Sequence, residues 1–267
     1  MTARSFLVRG LLVGLLAGLA SFLVAYTVGE PHVDTAISLE ESAPAGAAGA
    51  AEADDGHTHS HADDGEAEEG VTEVSRGTQR TWGLLTGTLA VGVALGGIVG
   101  LLAAATVGRL GRLTPRQSTA TVSAIGFTSF ALVPFLKYPA TPPAVGSGDT
   151  IGDRTAWYFG LVLLSVVVAV LATLVAVRLA ETYGAFTGVV GGAGLYVAAM
   201  AVTVLLLPTV NEVGSFPADT LWYFRLSSLL TLATLWTVIG VGLTGVVGRL
   251  HERSVAVQAR RELAASL

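Results

Sequence analysis

Cysteine is absent from all 267 residues, which removes disulfides, thiolate metal sites and thiol redox chemistry from consideration. Lysine occurs once, as Lys137, and the residue immediately before it is Leu136 rather than glycine. A Gly-x-x-x-x-Gly-Lys phosphate loop, and nucleotide hydrolysis through it, are therefore excluded. The two methionines, Met1 and Met200, leave little for a soft copper(I) site. Neither a Gly-x-Ser-x-Gly elbow nor a His-Glu-x-x-His helix occurs. The chain reads as a non-enzyme, without a nucleic-acid or nucleotide partner and without a permanently bound cofactor.

Charge is also scarce, at 13% of residues against 52% hydrophobic. That balance is too apolar for an ordinary soluble domain. A bilayer core about 30 Å thick needs roughly 20 apolar residues per helix, and the sequence supplies such runs repeatedly. The fold class it predicts is all-α: a polytopic integral membrane bundle of six transmembrane helices, with the lipid bilayer as principal solvent. The spans are expected near 8–28, 82–107, 117–136, 156–177, 185–207 and 224–248. The first is read as an uncleaved helix, since no small-residue cleavage pattern follows it. No Asp, Glu, Lys, Arg or His lies in the middle of any span, which excludes a conventional intramembrane carboxylate relay.

Arginine distribution sets the expected orientation. With both termini in the cytoplasm, Arg4, Arg9, Arg109, Arg112, Arg116, Arg178, Arg249, Arg253, Arg260 and Arg261 fall inside, ten of the fifteen basic residues. Of the twenty acids, only Glu181, Glu252 and Glu262 share that side. Trp82, Trp157, Tyr158, Trp222 and Tyr223 then sit at the outer heads of the even-numbered spans, as interfacial anchors do. This predicts a multi-pass protein of the cell membrane.

Thr155-Ala-Trp157-Tyr158-Phe159 closely matches Thr220-Leu-Trp222-Tyr223-Phe224, with Asp153 and Asp219 just upstream. Odd-numbered spans are expected to end near prolines: Pro31, Pro134 with Pro139, and Pro208. Both features suggest three like-oriented hairpins, although unrelated helices would need the same belt and loop residues. Gly10, Gly14 and Gly18 share one helical face, as do Gly92, Gly96 and Gly100. These are read as packing residues that allow close backbone approach.

The acidic side carries the candidate chemistry. Residues 43–70 are rich in Ala, Gly, Asp and Glu without apolar periodicity, so a disordered extracytoplasmic loop is expected. Within it, His57, His59 and His61 alternate among carboxylates, and imidazole with carboxylate suits cobalt, nickel or zinc. Glu30, Asp34, Asn211, Glu212 and Asp219 are further candidate metal ligands. The rival reading places these carboxylates with Lys137, Arg154 and Arg225 in a structural ion-pair cluster joining the outer loops. Both readings stay open at the level of sequence.

The succession Gly29-Glu30-Pro31, Ser75-Arg76-Gly77, Trp82-Gly83-Leu84, Gly108-Arg109-Leu110-Gly111, Pro134-Phe135-Leu136-Lys137-Tyr138-Pro139, Leu207-Pro208, Asn211-Glu212-Val213 and Phe216-Pro217-Ala218-Asp219 resembles the CbtA family of probable cobalt transporter subunits. The likeness covers nearly the whole chain. It implies cobalt uptake supporting cobalamin synthesis, with a divalent cation as cargo. It also implies a small single-span partner, CbtB, which carries its own histidine motif. The alternative to a transporter subunit is a membrane metal-binding or scaffold protein that delivers ions to another permease.

Overall fold

The computed structural model of the chain describes residues 2–42 and 74–266. Among these residues six helices are long and apolar enough to cross a membrane: α1 (Ala3–Ser42), α2 (Arg76–Thr106), α3 (Pro115–Lys137), α4 (Gly148–Tyr183), α5 (Ala185–Leu206) and α6 (Ala218–Ala265). They alternate in direction. The end of the bundle from which both termini emerge is called here the terminal end, and the opposite one the distal end. The acidic tract 43–70, with His57, His59 and His61, lies outside the described residues.

Helix boundaries follow local chemistry. Thr114 opens α3 with a capping box: its hydroxyl accepts from the Gln117 N–H at 3.3 Å, and the Gln117 side chain accepts from the Thr114 N–H at 3.0 Å. Pro115 follows at the first helical position, where its missing N–H costs nothing. Gly184, at φ +92°, ends α4 and passes directly into α5. That conformation suits a residue without Cβ, and the tight reversal makes α4 and α5 antiparallel neighbours.

Pro31 does not end its helix as expected, and Pro134 is carried inside the last turn of its own. α1 continues through Pro31 to Ser42, and α3 continues through Pro134 to Lys137. A proline inside a helix lacks one donor and crowds the carbonyl four residues back. Here each is preceded by a widened π turn, 25–29 and 127–132, in which the Glu30 N–H reaches back to the Ala25 carbonyl and the Val133 N–H to the Thr128 carbonyl. The extra residue in the turn accommodates the ring. The other two spans end near their prolines as expected: α3 stops at Lys137, two residues before Pro139, and α5 stops at Leu206, where the extended Leu207 leads into Pro208.

Packing is dominated by small residues. The Gly10–Gly14–Gly18 face of α1 lies directly on the Gly92–Gly96–Gly100 face of α2. A Cβ on Gly18 would stand 2.6 Å from the Thr88 carbonyl oxygen, and one on Gly100 2.8 Å from that of Phe6. Lipid tails are as apolar as leucine, so close van der Waals contact rather than water exclusion holds such pairs. Gly188 and Gly192 of α5 pack the same way on Ala176 and Ala180 of α4, a seam not singled out from the sequence. Where α1, α2, α3 and α6 meet, Ala17, Val99, Ala131, Trp236, Ile239 and Leu243 form the main core.

Of the three hairpins suggested by the sequence, α1 packs on α2 and α3 touches α4, but α5 and α6 do not pair. α6 packs on α1 and α3, whereas α5 leans on α4. The repeated heads are explained by a shared interfacial position, which any helix entering from that side requires. Much of α5 is exposed, with Phe186 at 82% and Leu205 at 84%; in a bilayer such surfaces meet acyl chains. At 1.5 Å per residue, α1 and α6 run about 60 and 72 Å, longer than the hydrocarbon core. α1 therefore projects beyond the distal end, and α6 beyond the terminal end.

Candidate functional site

A cleft of about 980 Å³ opens at the distal end, walled by α1, α3, the head of α4, the 209–213 segment and α6. Its floor carries Ser227, Ser228 and Thr231 of α6. Beneath them the buried Ser21 hydroxyl of α1 donates to the Thr231 carbonyl at 3.3 Å.

Three polar clusters surround the cleft. In the first, the chain beyond Pro31 keeps Glu30 and Asp34 one helical turn apart on α1, facing the start of α2. Arg76 donates to the Glu30 carboxylate and to Asp34 at 2.9 Å, while Arg80 reaches Asp34 at 3.2 Å. Arg80 also lies over the Tyr26 ring, 5.1 Å from its centroid, a cation–π contact. Glu30 is 7% exposed, and a carboxylate that deep needs its cation.

In the second cluster Glu212 accepts from the Ser147 N–H at 3.0 Å and pairs with Arg154 at 3.5 Å. Arg154 in turn donates to the Ser147 carbonyl at 3.0 Å. The guanidinium occupies the space where Gly146, at φ +106°, would carry a Cβ. Glycine is thus required there twice, for conformation and for room. The Thr150 hydroxyl, which also reaches the Ser147 carbonyl at 3.1 Å, combines with the Ser147 N–H to hold the Glu212 carboxyl below its usual range, with a smaller contribution from Arg154.

The third cluster consists of straps to backbone. Lys137 donates to the Leu207 carbonyl at 3.1 Å, Tyr138 to the Pro208 carbonyl at 2.9 Å, and Arg225 to the Ala140 carbonyl at 3.4 Å. The carbonyls past the ends of α5 and α3 have no helical partner, so they attract these donors.

The expected single ion-pair cluster is therefore corrected in detail. Arg154 pairs with Glu212, but among the described residues neither Lys137 nor Arg225 meets a carboxylate within 4.0 Å. Nearby carbonyls satisfy both. Asp219 stands in the first turn of α6, where the helix dipole favours an acid, and Asn211 lines the cleft. Among the described residues no three His, Asp or Glu side chains converge to hold a metal ion; Glu30, Asp34, Asn211, Glu212 and Asp219 are not brought together as a ligand set.

Arg76 and Arg80 were missed as site residues, though the sequence carried a signal. With Lys137, Arg154 and Arg225 they are the five basic residues left on the acidic side by the charge rule. All five make tertiary contacts at the distal end. His32 was likewise passed over; its ring stacks on Tyr223 at 5.8 Å, linking α1 to α6.

A family model described as probable cobalt transporter subunit (CbtA) matches residues 3–248. The chain belongs to the CbtA family. No curated protein and no solved structure matches it. The CbtA match takes in the six membrane-crossing stretches and every residue of the distal cleft. A CbtA chain is a subunit of a transporter, which implies a partner, and its apolar helices make it a multi-pass membrane protein.

Proposed function

We propose that this CbtA chain is the membrane subunit of a cobalt uptake transporter in the cell membrane, with both termini cytoplasmic and the distal cleft facing outward. His57, His59 and His61, with their flanking carboxylates, raise the local concentration of divalent cation, and the distal cleft receives it. The observation that carries this reading is the coincidence of the family match with a cleft that holds polar groups among apolar walls at the acid-rich end of an otherwise neutral bundle. Glu30 and Glu212 are neutralised by Arg76 and Arg154. The cleft thus offers a hydrated cation amide, hydroxyl and carbonyl oxygens rather than strong carboxylate ligands, which favours passage over retention. The small single-span CbtB-like subunit completes the path. Such a chain acts by transport and not by catalysis.

The test is metal-dependent uptake by liposomes containing the full chain, with and without the single-span subunit, comparing cobalt, nickel and zinc. Cobalt accumulation that requires this chain supports the proposal. Cobalt binding without uptake in either preparation would instead favour a metal-delivering scaffold.

A further inference from the structure

A groove of about 540 Å³ runs between α3 and α6 in the terminal half of the bundle. Arg116, Ser123 and Phe127 wall it on α3, and Ala233, Gly240 and Thr244 on α6. Each set has the spacing i, i+7, i+11, which keeps its members on one helical face. The two helices run antiparallel in a steady register: Gly126 faces the Trp236 ring, Ser123 faces Gly240, and Arg116 lies along Gly248. Small residues hold the walls close, since a Cβ on Gly240 would stand 3.3 Å from that of Ser123. The groove is mostly apolar and open on its outer side, where Ala120, Ala124 and Val241 are exposed.

Its length and its two ends are specific. From Arg116 to Phe127 it follows about 17 Å of helix, roughly half of a hydrocarbon core about 30 Å thick. Phe127 and the buried Trp236, their ring centroids 6.4 Å apart, close the deep end. The shallow end opens beside Arg116, whose aliphatic stem rests on Gly248 with Cδ 3.3 Å from where a Cβ would stand. Ion pairs among the described residues involve Arg76, Arg80 and Arg154, so the exposed Arg116 has no carboxylate within 4.0 Å there, Glu252 one turn beyond Gly248 included. One turn deeper than Gly248 stands Thr244, whose buried hydroxyl has no partner among the described residues. Thr203, Thr231 and Thr234 return their hydroxyls to the carbonyl four residues back, a bond that Thr244 does not make. In hydrocarbon such an unmade hydrogen bond is costly.

We infer that this groove is a binding site for an anionic phospholipid of the leaflet at the terminal end. One acyl chain fills the groove, the phosphate pairs with Arg116, and a glycerol ester carbonyl, which lies just beneath the phosphate, accepts from Thr244. An uncompensated arginine at the mouth of a cleft between helices attracts anionic headgroups, and the depth of the groove is that of one leaflet. A partner's transmembrane helix fits less well, because it needs a seat across the whole core and the aromatic pair ends this one half-way. The bound lipid staples α3 to α6. The inference holds whichever side of the membrane the terminal end faces, and it needs no cobalt flux.

The test follows thermal unfolding of the delipidated full chain in a neutral detergent as dioleoyl phosphatidylglycerol, dioleoyl phosphatidylcholine or glycerol phosphate is added. Phosphatidylglycerol should raise the melting temperature by several degrees, at least twice as far as phosphatidylcholine, and glycerol phosphate, a headgroup without chains, should not raise it. Arg116→Gln should reduce the phosphatidylglycerol shift to the phosphatidylcholine level. So should Gly245→Leu, because Gly245 lines the groove with nothing within 4 Å of where its Cβ would stand, and the new side chain occupies the acyl seat without displacing protein; Gly245→Val serves if leucine lowers the yield of folded protein. Arg178→Gln, at the terminal end of α4 and outside the groove, should leave the shift intact. Equal shifts with the two lipids, or a loss in Arg178→Gln as large as in Arg116→Gln, would mean only general attraction to a basic surface and would overturn the inference. A full shift in Gly245→Leu would place the lipid elsewhere, and release of bound phosphatidylglycerol by the single-span subunit, seen by native mass spectrometry, would give the groove to a helix; either result overturns it as well.

Discussion

Gly14 and Gly92 meet backbone to backbone, so closely that a Cβ on Gly92 would stand 2.5 Å from the Gly14 carbonyl oxygen. Neither partner is a flexible side chain able to yield, and a methyl group there forces α1 and α2 apart along their length. Gly92→Ala is expected to destabilise the bundle by about 1–3 kcal/mol, the usual range for overpacking. Gly87→Ala, on the same helix with open space around it, should be neutral or slightly stabilising. Thermal unfolding in detergent compares the two, and equal melting temperatures would contradict this account of the α1–α2 seam.

Arg76 holds a nearly buried carboxylate, and that makes its loss asymmetric. Arg76→Ala strands Glu30 without its cation and is expected to cost on the order of 3 kcal/mol. Glu30→Gln in the same chain should restore part of that loss, because a neutral amide no longer needs the guanidinium. A double-mutant cycle measures the coupling. Strictly additive losses would show that the pair does not act as a unit.

Glu212 introduces an acid-sensitive joint. Its carboxyl sits below the ordinary value of 4.5 in the folded chain, so the unfolded state binds more protons as pH falls. The stabilisation is fully present above about pH 4.5 and is lost as pH falls through the lowered folded value. Hydrogen exchange should show residues 144–150 and 207–217 loosening together in that acid window. Glu212→Gln should remove this pH-dependent step, and a variant that retains it would assign the transition to another group.

The three histidines of the acidic tract should matter most when metal is scarce. Replacing His57, His59 and His61 by alanine is expected to lower cobalt uptake several-fold at limiting cobalt and little at saturation, because imidazoles among carboxylates concentrate divalent ions without selecting among them. Equal uptake at every concentration would make the triplet a bystander.

The seat of Trp236 between α3 and α6 was invisible in the linear pattern for a definite reason. Trp236 lies in a charge-free run and is indistinguishable there from any lipid-facing aromatic. Its packing depends on Gly126 and Phe127, more than a hundred positions earlier. Pro31 misled in the opposite direction: a proline signals a stop, and only the backbone reveals the π turn that absorbs it.

Composition and periodicity determined by themselves that this chain forms six neutral helices with glycine faces on the first two, because a bilayer tolerates little else in runs of that length. They also isolated the acidic end and the five basic residues out of place there. Only the tertiary structure decided their partners. Arg76 and Arg154 took carboxylates while Lys137 and Arg225 took backbone carbonyls, since which acceptor lies within reach depends on where helices end, stop short or run on.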